Sequence, residues 1–152
     1  MSIADAQNTK KVLLLPPQLK DDGDFAGNTY VDTKGWGYAE FLIMTGTIDA
    51  AMGSTAETAA PKIEHCDTSG GTYADLTDAA LADAIADTED DSLFQIDVDL
   101  VNVSHKRFMR VNAPHAGDGT NGVNAAIVCI LSKPELGPQN ATERGLAEHV
   151  IV

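Results

Sequence analysis

Residues 93–100 (LFQIDVDL) constrain this chain more than any other stretch. Phe94, Ile96, Val98 and Leu100 fall on one side of an extended backbone, and Gln95, Asp97 and Asp99 fall on the other. A period of two is the signature of a half-buried strand, because successive side chains point to opposite faces. The same grammar recurs along the chain. Residues 28–33 (NTYVDT), 38–45 (YAEFLIMT), 61–67 (PKIEHCD), 106–113 (KRFMRVNA) and 123–131 all read as short strands. Turn signals such as Gly35-Trp36-Gly37 and Thr68-Ser69-Gly70-Gly71 separate them at intervals of about ten residues. Seven or eight such segments, with too few helical stretches to alternate with them, predict an all-β fold. The expected architecture is an antiparallel β-sandwich, jelly-roll-like. The alanine and leucine spacing of residues 78–87 predicts at most one short helix. Residues 106–113 are the expected hairpin partner of 93–100, with Asp97 and Asp99 opposing Lys106, Arg107 or Arg110 across the strands.

Both ends read as extended arms. Residues 1–24 hold one apolar cluster, Val12, Leu13, Leu14 and Leu15, followed by Pro16-Pro17 and the acidic turn Asp21-Asp22-Gly23-Asp24. This is an N-terminal arm with one short strand, and the sandwich core spans 25–132. Residues 133–152 form a C-terminal arm, since Pro134 and Pro138 forbid a helix or central strand at its start. That tail finishes on three β-branched residues, Val150, Ile151 and Val152, which suit docking on a sheet edge of this domain or of a neighbour.

Charge narrows the function. The 152 residues carry 23 acidic and 10 basic side chains, a net −13. Such a surface repels nucleic acid and anionic membranes, so neither is an expected partner. No apolar run approaches the roughly 18 residues of a transmembrane helix, and the start lacks the apolar core of a signal peptide. The expectation is synthesis in a cytoplasm. Cys66 and Cys129 are too few for a disulfide framework and lack metal-site spacing, so both read as buried reduced thiols.

Catalytic motifs are absent from the sequence. There is no GxSxG, HExxH or P-loop, and no GxGxxG that opens a helix. His65, His105, His115 and His149 are scattered. His65 and Cys66 are adjacent, but on a strand their side chains point apart and cannot share a proton. The acidic runs 21–24 and 87–91 offer oxygen ligands without the spacing of a calcium loop, and they read as solvated turns. No cofactor and no metal site are expected, and an enzyme is not. Trp36, between two glycines, could stack on a sugar ring, but a lone tryptophan suits a core edge or a subunit contact better.

Three stretches together carry a family resemblance: VDTKGWGYAEFLIMTGTID, the pair FQIDVDL and KRFMRV, and the ending AAIVCILSKPELGPQNATERGLAEHVIV. The pattern resembles small head structural proteins of tailed bacteriophages and prophages, of the capsid decoration (cement) type. The resemblance implies a virion protein on the capsid surface, with the major capsid protein as partner and self-association as a homotrimer. On that reading Val12–Leu15, Trp36, Tyr38 and Val150–Val152 are the expected contact residues. A head–tail connector, a tail protein and a carbohydrate-binding module for host adhesion are the alternatives.

Overall fold

The structure, a computed structural model, describes residues 8–23, 25, 29–49, 52, 60–112, 120, 122–134 and 145. Among them are eight strands and no helix: β1 (Thr9–Lys20), β2 (Val31–Asp32), β3 (Trp36–Ile48), β4 (Lys62–Cys66), β5 (Ala74–Ala80), β6 (Leu93–Asp99), β7 (Phe108–Val111) and β8 (Val123–Pro134). None of the described segments is a helix long and apolar enough to cross a membrane.

The strands form two four-stranded antiparallel sheets, β1-β8-β3-β6 and β2-β7-β4-β5. Every consecutive pair except β4 and β5 lies in opposite sheets. This is the order of an eight-stranded jelly roll, as the sequence pattern predicts. The reason lies in β3 and β8. Residues 36–45 alternate half-buried and buried, and Ala39, Phe41 and Ile43 point inward against Leu131, Cys129 and Ile127 of β8. The second sheet closes the core with Val31, Ile63, Met109 and Val111. Cys66 and Cys129 are both buried and free.

Three expectations are corrected. The first is the N-terminal arm. Thr9–Lys20 is a strand of the chain's own first sheet, paired with β8 from Thr9↔Ser132 to Lys20↔Val123. Leu14 and Leu15 are fully buried in the core. Pro16-Pro17 does not stop the strand, because β1 is an edge strand and the ladder shifts register between Leu15 and Gln18. Residues 1–7 and 24 lie outside the described residues.

The second is the hairpin. β6 pairs with β3, from Tyr38↔Asp99 to Met44↔Leu93, and β7 joins β2 and β4 in the other sheet. The cations expected opposite Asp97 and Asp99 therefore find other acids. Arg107 binds Asp32, Arg110 binds Glu64 and Lys106 approaches Asp67.

The third is the place of the one optional helix, since none forms at residues 78–87. Residues 74–80 are strand β5, and residues 81–87 carry an isolated bridge between Ile85 and Met52. Asp78 adopts φ 60°, and the β4–β5 ladder slips between Lys62 and Glu64. That irregularity puts Leu76 and Ala79, three apart, on one buried side and so imitates helical spacing.

β8 also runs three residues past Leu131 to Pro134, opposite Trp36. Of the C-terminal arm beyond it, only Gly145 is described. It has φ 73°, and a Cβ added there would overlap the Lys11 carbonyl oxygen, so this residue sits against β1. Residues 135–144 and 146–152, including Val150, Ile151 and Val152, lie outside the described residues.

Candidate interaction surface

The two sheets present different outer faces to solvent. On the second sheet the polar groups are matched within the chain. Arg107 grips Asp32 through both Nε (2.8 Å) and Nη2 (2.6 Å), which holds the Asp32 carboxyl below its usual range. Glu64 is buried to 9% exposure and accepts from Arg110 Nε at 2.9 Å and Asn112 Nδ2 at 3.0 Å. The Arg110 guanidinium also lies 4.2 Å from the centre of the Tyr73 ring, and Arg107 lies 4.9 Å from that of Phe108. Lys62 binds Asp75 at 2.8 Å. A face of this kind suits water.

The first sheet is different. Its cross-strand register places outward-pointing side chains in rows across all four strands. One row reads Lys11, Ile130, Glu40, Asp97. The next reads Leu13, Val128, Leu42, Gln95. A third holds Ala126, Met44 and Leu93. Apolar residues thus occupy the middle of the face. Leu13 and Leu93 are 53% and 61% exposed, and Leu19, beside Asn124 at one end, is 63% exposed. Pro17, Leu19, Met44 and Ala126 border a shallow hollow of about 430 Å³ at that end. The charged members of the face are Lys11 of β1, Glu40 of β3 and Asp97 of β6, and Gln95 Nε2 donates to both Asp97 oxygens at 3.0 Å. Tyr38 sits at the acidic side, where burial and the Asp97 carboxylate raise its hydroxyl pKa, and Lys133 Nζ lies 5.3 Å from its ring centre.

The expected contact residues divide accordingly. Leu13 and Tyr38 lie on this outer face. Leu14 and Leu15 face the core, and Val12 and Trp36 are half-buried and packed against it. A tryptophan so placed has less of its ring left for a sugar. Leu42, Met44, Leu93, Val128 and Ile130 are absent from the sequence-derived set. Their signal was present: 38–45 and 125–131 are apolar at both parities, and a strand apolar on both faces is covered on both.

Little among the described residues resembles a reaction centre. His65 Nδ1 accepts from the Lys106 backbone N–H at 3.3 Å, and burial lowers its pKa, with the charges of Lys106 and His105 adding to the effect. The two ring nitrogens of His105 lie 3.0 and 3.1 Å from the Lys106 and Leu100 carbonyls. Burial pushes the Cys129 thiol far above its usual pKa, so it is a poor nucleophile. No group of three or more described His, Cys, Asp or Glu side chains is arranged to hold a metal. The acids of 87–91 tie down backbone instead, with Glu89 accepting from Ala86 N–H and Asp90 from Ile48 N–H, both at 2.7 Å. His115 and His149 lie outside the described residues. No protein-family model matches the chain, and no curated protein or solved structure is significantly similar to it.

Proposed function

We propose that this protein is a structural component of a virus particle, of the decoration type, which binds the outer capsid shell through the major capsid protein and stabilises contacts between capsomers. One observation carries the reading: the first sheet of a strongly acidic domain keeps an apolar outer face while its second sheet is internally ion-paired. Half-buried Leu42, Met44, Val128 and Ile130, between exposed Leu13 and Leu93, make an apolar surface of the kind that meets another protein. The eight-stranded jelly roll supports the reading by analogy, since that architecture recurs in viral capsid proteins as well as in lectins and cupins. The three sequence stretches that resemble phage head proteins point the same way. They coincide with β3 and β6, which build the face, with β7, and with β8 and the tail beyond it.

The function requires no covalent chemistry. A cement protein bridges two subunits so that their separation must also break the added contacts, and many weak copies act together. The test is to add purified protein to expanded capsid shells and follow the temperature at which they lose their contents. Saturating addition raises that temperature. An unchanged shell transition, with no protein co-sedimenting with shells, rejects the proposal.

A further inference from the structure

We infer that the outer edge of β6 is a second interaction site, which takes up an extended, lysine- or arginine-bearing strand of another protein. This site is separate from the apolar face and does not depend on the decoration role.

Backbone parity locates it. Leu100 N–H donates to the Gly37 carbonyl and Thr45 N–H to the Ser92 carbonyl. In an antiparallel ladder this ties the even-numbered residues of β6 to β3 and turns the N–H and C=O of Leu93, Gln95 and Asp97 away from the sheet. β6 ends the sheet on that side, and among the described residues no hydrogen bond reaches these six groups. The run is regular, since β6 keeps one register with β3 from Leu93 to Asp99. The other edges differ. On β1, Thr29 N–H bonds the Leu14 carbonyl at 2.8 Å and Gly145 lies against Lys11. β2 has only two residues, and β5 is interrupted by the slip in its ladder and by Asp78 at φ 60°. A regular, unpaired edge is a template for one more strand.

Charge selects the occupant. Residues 66–104, which supply both β5 and β6, hold ten of the 23 acidic side chains and no Lys, Arg or His. Among the described residues only Asp67 and Asp75 of this stretch form ion pairs, with Lys106 and Lys62. The Gln95 amide that binds Asp97 is neutral and leaves the negative charge in place. The edge therefore lies in an uncompensated negative field. A second copy would bring the same acids to it and be repelled, whereas a cationic strand is attracted. Geometry adds a spacing rule. Residues of the incoming strand opposite Leu93, Gln95 and Asp97 share their exposed outer face, where cations reach both water and the acids. The residues between them point inward over a hollow of about 330 Å³ bordered by Leu76, Ala79, Val98 and Val103, which suits small apolar side chains. The occupant thus alternates a cation with a residue such as valine along the seven residues of β6.

A fluorescein-labelled peptide, Lys-Val-Lys-Val-Lys-Val-Lys, tests this by anisotropy against the full chain at low salt. Saturable binding is expected, weakened roughly tenfold when the lysines become glutamine. Hydrogen exchange of the Leu93, Gln95 and Asp97 amides slows in the complex. In the added strand the lysine amides face β6 and the valine amides face away. N-methylation of the internal lysines therefore abolishes binding, and N-methylation of the valines leaves it unchanged. Gln95→Pro removes an outward N–H while sparing the ladder to β3, and weakens binding about tenfold at unchanged circular dichroism. The methylated peptides decide the matter on the wild-type chain if that variant does not fold. No binding, equal binding of the two methylated peptides, or unprotected amides at 93, 95 and 97 overturns the inference. A peptide-free dimer that protects the same amides overturns it too, by giving the edge to a second copy. A chain that takes the peptide and ignores shells refutes the decoration role alone. One that raises the shell transition and ignores the peptide refutes this site alone.

Discussion

Three consecutive leucines in β1 provide a sharp test of where this strand belongs. Leu13 is 53% exposed, whereas Leu14 and Leu15 are fully buried, because the register shift between Leu13 and Leu15 turns two neighbouring residues inward. Truncating Leu15 to alanine removes three carbons from the core at about 0.8 kcal/mol each, or about 2.4 kcal/mol of transfer free energy. The cavity left beside Ile127, its partner on β8, adds to this. Buried leucines truncated to alanine lose about 3–5 kcal/mol in total. For a domain of this size each kcal/mol moves the melting temperature by about 2–4 °C, so Leu15→Ala lowers it by roughly 6–20 °C. Leu13→Ala, one pleat away on the outer face, changes stability by no more than about 0.5 kcal/mol. Urea unfolding followed through Trp36, the single tryptophan and a β3 residue packed on the core, reports both. If Leu15→Ala unfolds at the same urea concentration as wild type, β1 is not part of the core and the arm reading of residues 9–20 returns.

Four further expectations concern polar and backbone features. Glu64→Gln removes the charge that Arg110 and Asn112 share on a largely buried carboxylate, and urea titration shows a loss of about 1–2 kcal/mol. Asp75→Asn at the exposed Lys62 pair shows less than about 0.5 kcal/mol. His65 has its pKa lowered from 6.5 in the fold, so the unfolded chain binds more protons between the folded value and 6.5. Stability is then full above 6.5 and falls as pH drops through that window, and His65→Gln flattens the slope of the urea midpoint there. Gly145→Ala meets the Lys11 carbonyl at a positive φ, lowers stability by about 1 kcal/mol and speeds amide exchange along β1.

Much of the fold was legible because a strand writes its period into the sequence. Phe94, Ile96, Val98 and Leu100 alternate in 93–100, and the structure buries that side and exposes Gln95 and Asp97. The misreadings arise where a residue's face depends on a partner strand far away. Nothing local says that Pro16-Pro17 lies on a sheet edge, where a missing N–H is harmless. That follows from β1 flanking β8, more than a hundred residues later. Leu76 and Ala79 look helical because a backbone irregularity at Asp78 imitates a spacing of three. β6 and β7 look like a hairpin because adjacent strands in sequence often pair, whereas a jelly roll sends the chain across the sandwich at almost every step. The interaction face was half legible. Apolar residues at both parities of β3 and β8 signalled two apolar faces, but a strand's own residues carry no signal for what meets the outer one.

The contrast between the two outer faces links the fold to the proposed role. A central strand such as β3 has neighbours on both sides, so its inner parity is committed to the core whatever the protein does. Its outer parity is free of that demand. On the second sheet that freedom carries polar side chains matched to one another, with Glu64 against Arg110 and Asp32 against Arg107. On the first it carries Leu42 and Met44, flanked by Val128 and Ala126. In a chain with 23 acidic side chains, polar residues for that face were not scarce. An isolated sandwich gains nothing from leucine there and risks aggregation through it.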